Sequence, residues 1–292
     1  MSAFDEHLAA RRAAGLFDFS FMGLYEFQGK SELASLQTRN LDAMAPSQIA
    51  YTLLLKPDGA VLIDATVWRL DAERFWLFTG KRSAYGGRDR SGEFAILALQ
   101  GPASGRILAR LIGRDAVLSL KYFHFIKGPM LVGRIGYSGE LGYELIVRAA
   151  DSPALVHRLL QLGAGNGLHE CSWAAADSLR IESGYVLFDR EIDGKANPRE
   201  LGLERLTSGR SFDMKRKLVG LDIVDERGPA EPPRAEVTSE CLSPTLGKTL
   251  ALGFVAPDVA TGSLVRTDHR IARACALPFY DPDRRRPRAA PC

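Results

Sequence analysis

Residues 130–163 read MLVGRIGYSGELGYELIVRAADSPALVHRLLQLG, and this stretch decides the fold. MLVGRIGY and YELIVRA are apolar enough to be strands, and SGELG between them is a glycine-rich loop. SPALVHRLLQLG has the length and spacing of a helix that ends at glycines. The order strand, loop, strand, helix also occurs earlier in the chain, and its second pass begins near residue 93. The repeated order predicts two lobes of similar make-up in an α+β fold.

The N-terminal half supplies the first lobe. Residues 3–14 predict a short charged helix that stops at Gly15, and LFDFSFMGLYEFQG at 16–29 predicts one buried strand. Between Tyr51 and Gly80 the pattern has period two, with YTLLL, VLIDATVWRL and RFWLFTG separated by the turns PDG and DAE. This pattern predicts a β-meander.

The remaining chain predicts a helix and then a small all-β unit. CSWAAADSLRIES at 171–183 has helical spacing, and RGPAEPPRAE at 227–236 has the proline content of a linker or large loop. TLALGFV, GSLVRT and RIARACALPFY beyond it are short strand-like segments bounded by turn residues. We therefore predict an α+β domain over residues 1–226 and a β domain over residues 227–292.

Composition excludes several classes of protein. The chain has 292 residues, 46% of them hydrophobic, and a net charge of only +3, so it has the apolar content to bury a core but no nucleic-acid footprint. The basic residues are scattered, apart from one run that we expect to be a solvated, frayed end: Arg284, Arg285, Arg286 and Arg288.

Metal, membrane and dinucleotide sites are not expected either. The cysteines lie too far apart for the ligand spacing of a zinc or iron–sulfur site: Cys171, Cys241, Cys275 and Cys292. The first fifteen residues contain no apolar targeting segment, and no later run is long enough to span a bilayer. No GxGxxG follows a strand. A cytoplasmic location is the expectation.

Asp64 is the first candidate for chemistry. It stands inside the apolar strand VLIDATVW, flanked by Ile63 and Ala65. A carboxylate in such a strand must be paired, hydrogen-bonded or functional, because an unpaired buried charge costs several kcal/mol. A structural partner such as Arg69 is the alternative to a catalytic role.

Several segments, read in order, resemble the aminomethyltransferase family, the folate-binding T-proteins of glycine cleavage and their relatives. The match covers most of the chain and rests on RRAAGLFDFSFMG, LALQGPAS, GYSGELGYELIV, ADSLRIESGYVLFDREID, NPRELGL, SPTLGKTLALGFV and ALPFYDP. The resemblance implies two ferredoxin-like lobes that form a disc around a folate pocket, with a C-terminal β-barrel against them. Tetrahydrofolate would be the cofactor.

The resemblance also implies site residues. The family's folate site is lined by the tyrosine and the last glutamate of the GYSGELGYELIV motif, here Tyr137 and Glu144. A pterin ring presents an edge of N–H donors, and a carboxylate held in plane accepts two hydrogen bonds from such an edge. Glu140 is the other glutamate of this hairpin, and a hairpin with solvated charges is the alternative interpretation.

Three further positions follow from the resemblance. The arginine of the DSLRIE segment, Arg180, would point into the folate cavity, although pairing with Asp177 on one helix face is the simpler alternative. T-proteins carry a catalytic aspartate at the position of Ile63, whereas the folate domains of dimethylglycine and sarcosine dehydrogenases carry one at the position of Asp64. Asp64 is the candidate acid, with that ambiguity open, and Tyr51 matches a family tyrosine near the same pocket.

The predicted function is tetrahydrofolate-dependent transfer of an aminomethyl or methyl group. The resemblance implies a lipoyl arm on a carrier protein as donor, or a flavoprotein subunit if the chain serves a larger demethylating oxidoreductase. Relative to the family, the chain is shortened after FTGKRSAY, where a helix is missing, and in the barrel near residue 230. The missing helix predicts exposed apolar surface. A degenerate paralogue, or a non-catalytic folate-binding or assembly protein, is therefore the alternative function.

Overall fold

The computed structural model describes residues 1–224 and 231–291. Within these ranges the α-helices are α1 Ala3–Arg12, α2 Ser31–Leu36, α3 Ser104–Ile112, α4 Arg114–Ser119, α5 Ser152–Gly163 and α6 Trp173–Glu182. The strands of the two lobes are β1 Ala14–Asp18, β2 Gly23–Gln28, β3 Ile49–Leu55, β4 Val61–Arg69, β5 Arg74–Thr79, β6 Arg88–Asp89, β7 Phe94–Gln100, β8 Phe125–Lys127, β9 Leu131–Gly133, β10 Gly142–Arg148 and β11 Leu168–Glu170. The C-terminal strands are β12 Lys217–Val224, β13 Ala235–Ser243, β14 Lys248–Val255, β15 Leu264–Arg266 and β16 Ile271–Cys275.

In the described residues the strands form three sheets. The first-lobe sheet has the order β3-β4-β5-β2-β6, and the second-lobe sheet has the order β11-β1-β7-β10-β9-β8. The C-terminal sheet has the order β13-β14-β12-β16-β15. The predicted α+β class, the two lobes and the C-terminal β unit are confirmed, and the predicted meander is the β3-β4-β5 part of the first sheet.

One predicted strand is wrong. The segment at 16–29 forms two strands in different sheets, because β1 pairs with β7 and β11 whereas β2 pairs with β5 and β6. A turn separates them, in which the Ser20 amide donates to the Asp18 carboxylate and the Met22 amide donates to the Phe19 carbonyl. The chain therefore crosses from the second lobe to the first within its first thirty residues.

The two lobes share one apolar core. Trp68 and Phe78 of the first-lobe sheet pack in the same cluster as Phe17 and Ile146 of the second-lobe sheet, and α6 contributes to it. The approach is closest at Gly133, where a Cβ atom would lie 2.2 Å from the Trp68 ring. The other face of the second-lobe sheet is covered by α3 and α5. Side chains on the inner faces of both sheets therefore point toward the same interior.

The C-terminal sheet begins before the predicted linker. β12 pairs with β14 and β16, so Lys217–Val224 already belongs to this sheet. The predicted division between residues 226 and 227 lies outside the described residues and stays a prediction. The five-strand sheet packs on the lobes through α6, because Ile181 shares a cluster with Leu250 and Leu252.

The arginine-rich end does not fray as expected. Residues 280–291, named here the C-terminal segment, lie against the second lobe, and their prolines Pro287 and Pro291 are buried. The Tyr280 hydroxyl donates to Glu140 at 2.8 Å, and Arg134 donates to the Ala289 carbonyl at 2.6 Å. Backbone contacts and buried prolines fix the segment, and the arginine count of the sequence does not reveal them.

Candidate functional site

Asp64 and Tyr51 face each other on neighbouring strands. β3 and β4 are antiparallel partners, and the Tyr51 hydroxyl donates to the Asp64 carboxylate at 2.9 Å. Ile63 points to the opposite face of β4, where it is fully buried in the first-lobe core. The alternation of a strand therefore leaves Asp64, and not Ile63, as the residue of this pair with its side chain outside that core.

The surroundings of Asp64 change its acidity. Burial raises the pKa of Asp64 to about 6; the hydrogen bond from Tyr51 opposes this change, and the charge of Glu191 adds to it. Burial and the neighbouring Asp64 also raise the pKa of Tyr51 well above its usual range. Tyr51 is therefore a protonated donor at neutral pH, and Asp64 is an ionised acceptor above pH 6.

Tyr137 lies in the same region. Its hydroxyl donates to the Val186 carbonyl at 2.6 Å, and its ring stacks on the Tyr185 ring with centroids 5.7 Å apart. Burial raises the pKa of Tyr137, and the charges of Arg180 and Asp64 act on it in opposite directions. The structure thus brings Tyr51, Asp64 and Tyr137 together from both lobes.

Glu144 is buried but has no partner. Its side chain extends from β10 between two small neighbours, since Ala98 and Gly133 are its cross-strand partners. Glu144 is only 5% exposed, and no donor or cation within residues 1–224 and 231–291 contacts its carboxylate. Burial alone raises the pKa of Glu144 to about 7. Such a group is a ready acceptor for N–H donors of a ligand.

Glu140, the other glutamate of the hairpin, is in a different situation. It is 2% exposed and accepts hydrogen bonds from Arg11, Tyr280 and Arg286. Arg11 also pairs with Glu182 at 2.9 Å, so these side chains join α1, the hairpin, α6 and the C-terminal segment. Glu140 belongs to a structural ion cluster, and only Glu144 is available to a ligand.

Arg180 does not extend freely into the cavity. Its Nε donates to Asp177 at 2.7 Å, which is the pairing that the helix spacing favoured. Its other nitrogens donate to Glu191 at 2.7 Å, to the Tyr185 carbonyl at 3.2 Å and to Ser239 at 2.6 Å. Every guanidinium nitrogen is thus held by the protein, because α6 lies against β13. A role for Arg180 toward a ligand stays a prediction, and it would act through Glu191.

Glu191 is a site residue that the sequence did not reveal. It is fully buried and accepts from Arg180, Thr238, Ser239 and the Leu187 amide. A register shift between Val237 and Ser239 in β13 lets consecutive residues both reach it. In the sequence, Glu191 stands in the charged stretch DREID, which is typical of an exposed turn, so only the tertiary contact identifies it.

The site and the open surface of the protein lie in different places. A groove of about 690 Å³ is lined by Arg82, Gly92, Phe94, Val156 and Leu160 among others, and none of the predicted site residues borders it. It lies beside the short link where the family helix is missing, in agreement with the predicted exposure of apolar surface. Among the described residues, the polar groups between the lobes, unlike the groove, combine an unpaired buried carboxylate with a hydrogen-bonded Tyr51–Asp64 pair.

The described part of the chain has neither a membrane-spanning helix nor a group of metal ligands. No described helix is long and apolar enough to cross a membrane. Among the same residues, no three or more histidine, cysteine, aspartate or glutamate side chains are grouped as metal ligands would be.

Comparison with known proteins identifies the class and then the family. The GCVT N-terminal domain model matches residues 2–210, and the model of the glycine cleavage T-protein C-terminal barrel domain matches residues 216–281. A chain that matches both of these domain models over nearly its whole length is in the class of folate-dependent one-carbon transferases. The chain belongs to the glycine cleavage T-protein family.

Relatives and one solved structure support this assignment over nearly the whole length. The aminomethyltransferase of Symbiobacterium thermophilum is 34% identical, with 98% of this chain and 91% of that protein covered. The aminomethyltransferase of Desulfitobacterium hafniense (strain DSM 10664 / DCB-2) is 33% identical, with 88% and 82% covered. The glycine cleavage system aminomethyltransferase T from Bartonella henselae has the same fold, with a TM-score of 0.78 at 24% identity over 96% of this chain and 90% of that one.

Proposed function

We propose that Glu144, Tyr137, Tyr51 and Asp64 form the tetrahydrofolate site of this chain, and that Asp64 is its catalytic acid. Membership of the T-protein family makes the chain a tetrahydrofolate-dependent one-carbon transferase. The observation that carries the assignment of residues is the buried carboxylate of Glu144, which has no partner within the described ranges. Bound tetrahydrofolate supplies the nitrogen that accepts the one-carbon group.

The proposed role of Glu144 is recognition of the pterin. An ionised carboxylate that accepts two N–H bonds in plane gains charge-assisted hydrogen bonds, and the ligand removes the cost of an unpaired buried charge. The cross-strand neighbours of Glu144, Ala98 and Gly133, bring no polar side chain to compete with a ligand for the carboxylate. Glu144 sits on a central strand of the second-lobe sheet, so its position is fixed by backbone pairing on both sides.

The proposed role of Asp64 is electrostatic. Its carboxylate lies near Tyr137 and is oriented by the Tyr51 hydroxyl at 2.9 Å. A fixed negative charge stabilises positive charge that develops on the transferred carbon, and it does so best where water is excluded. Burial, with a smaller contribution from the Glu191 charge, raises the pKa of Asp64 to about 6, which suits a group that also handles protons.

We propose an aminomethyl group as the transferred unit, because the two relatives described above are named aminomethyltransferases. By the same resemblance the donor would be a lipoyl arm on a carrier protein. A flavoprotein subunit that produces the one-carbon unit is the alternative partner. The cytoplasm is the proposed location.

The test is a titration of the purified protein with tetrahydrofolate, followed by calorimetry and thermal unfolding. We expect micromolar or tighter binding and a rise in melting temperature, because a ligand that binds only the folded state stabilises it. The matched control ligand is p-aminobenzoylglutamate, which lacks the pterin edge that Glu144 would accept and should bind far more weakly. Absence of any shift at millimolar tetrahydrofolate would refute the proposal.

A further inference from the structure

The folate ligand of the proposed site has a second charged end, and the family arginine cannot serve it freely. Folate carries glutamyl carboxylates at the end opposite the pterin, and Arg180 is already held by Asp177, Glu191 and Ser239. A protein cation for those carboxylates would therefore be a residue other than Arg180. The C-terminal segment carries such cations next to the site.

The C-terminal segment is held in place at several points. Tyr280 donates to Glu140, and the Arg11 guanidinium lies over the Tyr280 ring at 4.0 Å. Farther along, Arg134 donates to the Ala289 carbonyl at 2.6 Å. Pro291 lies so close to α3 that a Cβ atom at Gly105 would be 1.7 Å from its carbonyl oxygen. The arginines of the segment are therefore presented from a fixed backbone.

Arg284 reaches the proposed site through two stacked tyrosines. Its guanidinium lies over the Tyr185 ring at 5.1 Å from the centroid, and Tyr185 stacks on Tyr137. Arg284 makes no ion pair with a carboxylate of the described residues, and neither does Arg288. Both guanidinium groups act electrostatically on Tyr122, as does Arg134.

Arg134 adds a buried positive charge to this region. It is 7% exposed, and its terminal nitrogens donate only to the Leu120 and Ala289 carbonyls. Its Nε has no partner within the described residues. A buried cation without a counter-ion is unfavourable, so an anion bound nearby would stabilise this region.

The acidic groups of the same region are mostly engaged. Asp283 pairs with Arg285, and Glu140 is shared by Arg11 and Arg286. Asp281 accepts from the Arg286 amide and acts on Tyr185, where it partly offsets Arg284. Among the described residues, the guanidinium groups of Arg134, Arg284 and Arg288 outnumber the unpaired carboxylates of this region.

We infer that Arg284 and Arg288 of the C-terminal segment bind the glutamyl carboxylates of the folate. The inference rests on the proposed function, in which Glu144 holds the pterin and Tyr137 is part of the same folate site. The Tyr137–Tyr185 stack then leads from that position to Arg284, and a guanidinium on an aromatic face retains N–H donors for a carboxylate. The C-terminal segment is thus a specificity element of the folate site.

The test compares tetrahydrofolate with tetrahydropteroate, which lacks the glutamate, by calorimetry. Wild-type protein should bind tetrahydrofolate at least about tenfold more tightly, and added salt should reduce that margin. This ratio of affinities is called the margin below. The variant R284Q/R288Q should lose the margin while its affinity for tetrahydropteroate stays unchanged. The matched control is R285Q, because Arg285 is exposed and paired with Asp283, and this variant should keep the margin.

A second variant tests the position of the segment without removing charge. Gly105→Ala must displace Pro291, so we expect it to reduce the same margin. Equal wild-type affinities for the two ligands, or a full margin in R284Q/R288Q, would overturn this inference alone. If neither ligand binds the wild-type protein, the proposed function is refuted together with the inference.

Discussion

Glu144 shows how a site residue reduces the stability of the protein that carries it. Its pKa is raised from 4.5 to about 7 by burial, so its ionised form is less stable in the folded protein than in the unfolded chain. The cost is absent below pH 4.5, where the group is neutral in both states. It is fully present above pH 7. In the proposed site, N–H donors of the bound ligand would compensate the cost of the buried Glu144 charge.

Glu144→Gln should therefore have two opposite effects. Without ligand at pH 8 it should raise the free energy of unfolding by about 2–3 kcal/mol, because the uncompensated charge is removed. It should also weaken tetrahydrofolate binding by about 1.5–3 kcal/mol, because an amide cannot accept two charge-assisted bonds. Denaturant unfolding and calorimetry on one preparation measure both.

The matched control for this variant is Glu140→Gln. Glu140 is held by Arg11, Tyr280 and Arg286, so its loss should destabilise the protein, and the folded fraction should bind folate more tightly than Glu144→Gln does. Equal binding losses at both positions would show that the hairpin presents Glu140, and not Glu144, to the ligand.

At the residue scale, strand alternation decides which of Ile63 and Asp64 faces the first-lobe core, while the role of Asp64 stays a prediction. Asp64 lies outside the first-lobe core because Ile63 is inside it, and the period of a strand is enough to expect that one of the two is buried. The buried position of Glu191 was not predictable, since it depends on Thr238 and Ser239 of β13 reaching its carboxylate. No spacing in the sequence encodes a contact between residues forty or more positions apart.

At the level of elements, α6 and α1 are joined through Glu182. It is fully buried and accepts from Arg11 and Ser243, and His7 lies 3.1 Å from it. Burial by itself opposes ionisation, but the hydrogen bond from His7 and the charge of Arg11 outweigh it and lower the pKa of Glu182 to about 2. The folded state therefore stabilises the ionised form.

This arrangement predicts acid sensitivity with a defined window. The stability from Glu182 is complete above pH 4.5 and is lost as pH falls through about 2, since the folded pKa lies below the unfolded one. Glu182→Gln should lower the free energy of unfolding at pH 7 by about 3 kcal/mol and should show a smaller loss between pH 4.5 and 2 than wild type. Parallel pH profiles of the two proteins, measured by denaturant unfolding, would contradict this role.

Helices and strands were predictable from the sequence where a single hydrophobic period runs through the segment and turn residues end it. The β3-β4-β5 meander followed from alternation between PDG and DAE turns, and α6 followed from its helical spacing. The segment at 16–29 was not separable, because it is apolar on both sides of a turn built from Asp18 and Ser20. The C-terminal segment was missed because prolines and arginines without periodicity resemble a disordered end.

For the whole molecule, the site depends on all three sheets of the described chain. The first-lobe sheet supplies Tyr51 and Asp64, and the second-lobe sheet supplies Glu144. The C-terminal sheet holds Glu191 through Thr238 and Ser239, and the charge of Glu191 reaches Asp64. The C-terminal unit is thus part of the electrostatic environment of Asp64, the proposed catalytic residue.

The central claim is that Asp64 acts on the transferred group in a folate site between the lobes. The most direct test measures the melting temperature, the affinity for tetrahydrofolate and the rate of transfer from an aminomethyl-loaded lipoyl carrier, for wild type and Asp64→Asn. The wild-type rate at saturating folate should fall as pH drops below about 6, where Asp64 takes up a proton.

We expect the Asp64→Asn variant to keep the wild-type melting temperature and most of the folate affinity, since the amide preserves the shape of the side chain and one acceptor. Its transfer rate should fall by about 100-fold or more, because the lost charge acts mainly on the transition state. A variant whose stability and activity decline in proportion would make Asp64 a structural residue. A wild-type protein that binds folate but transfers no group from the carrier would contradict the catalytic claim.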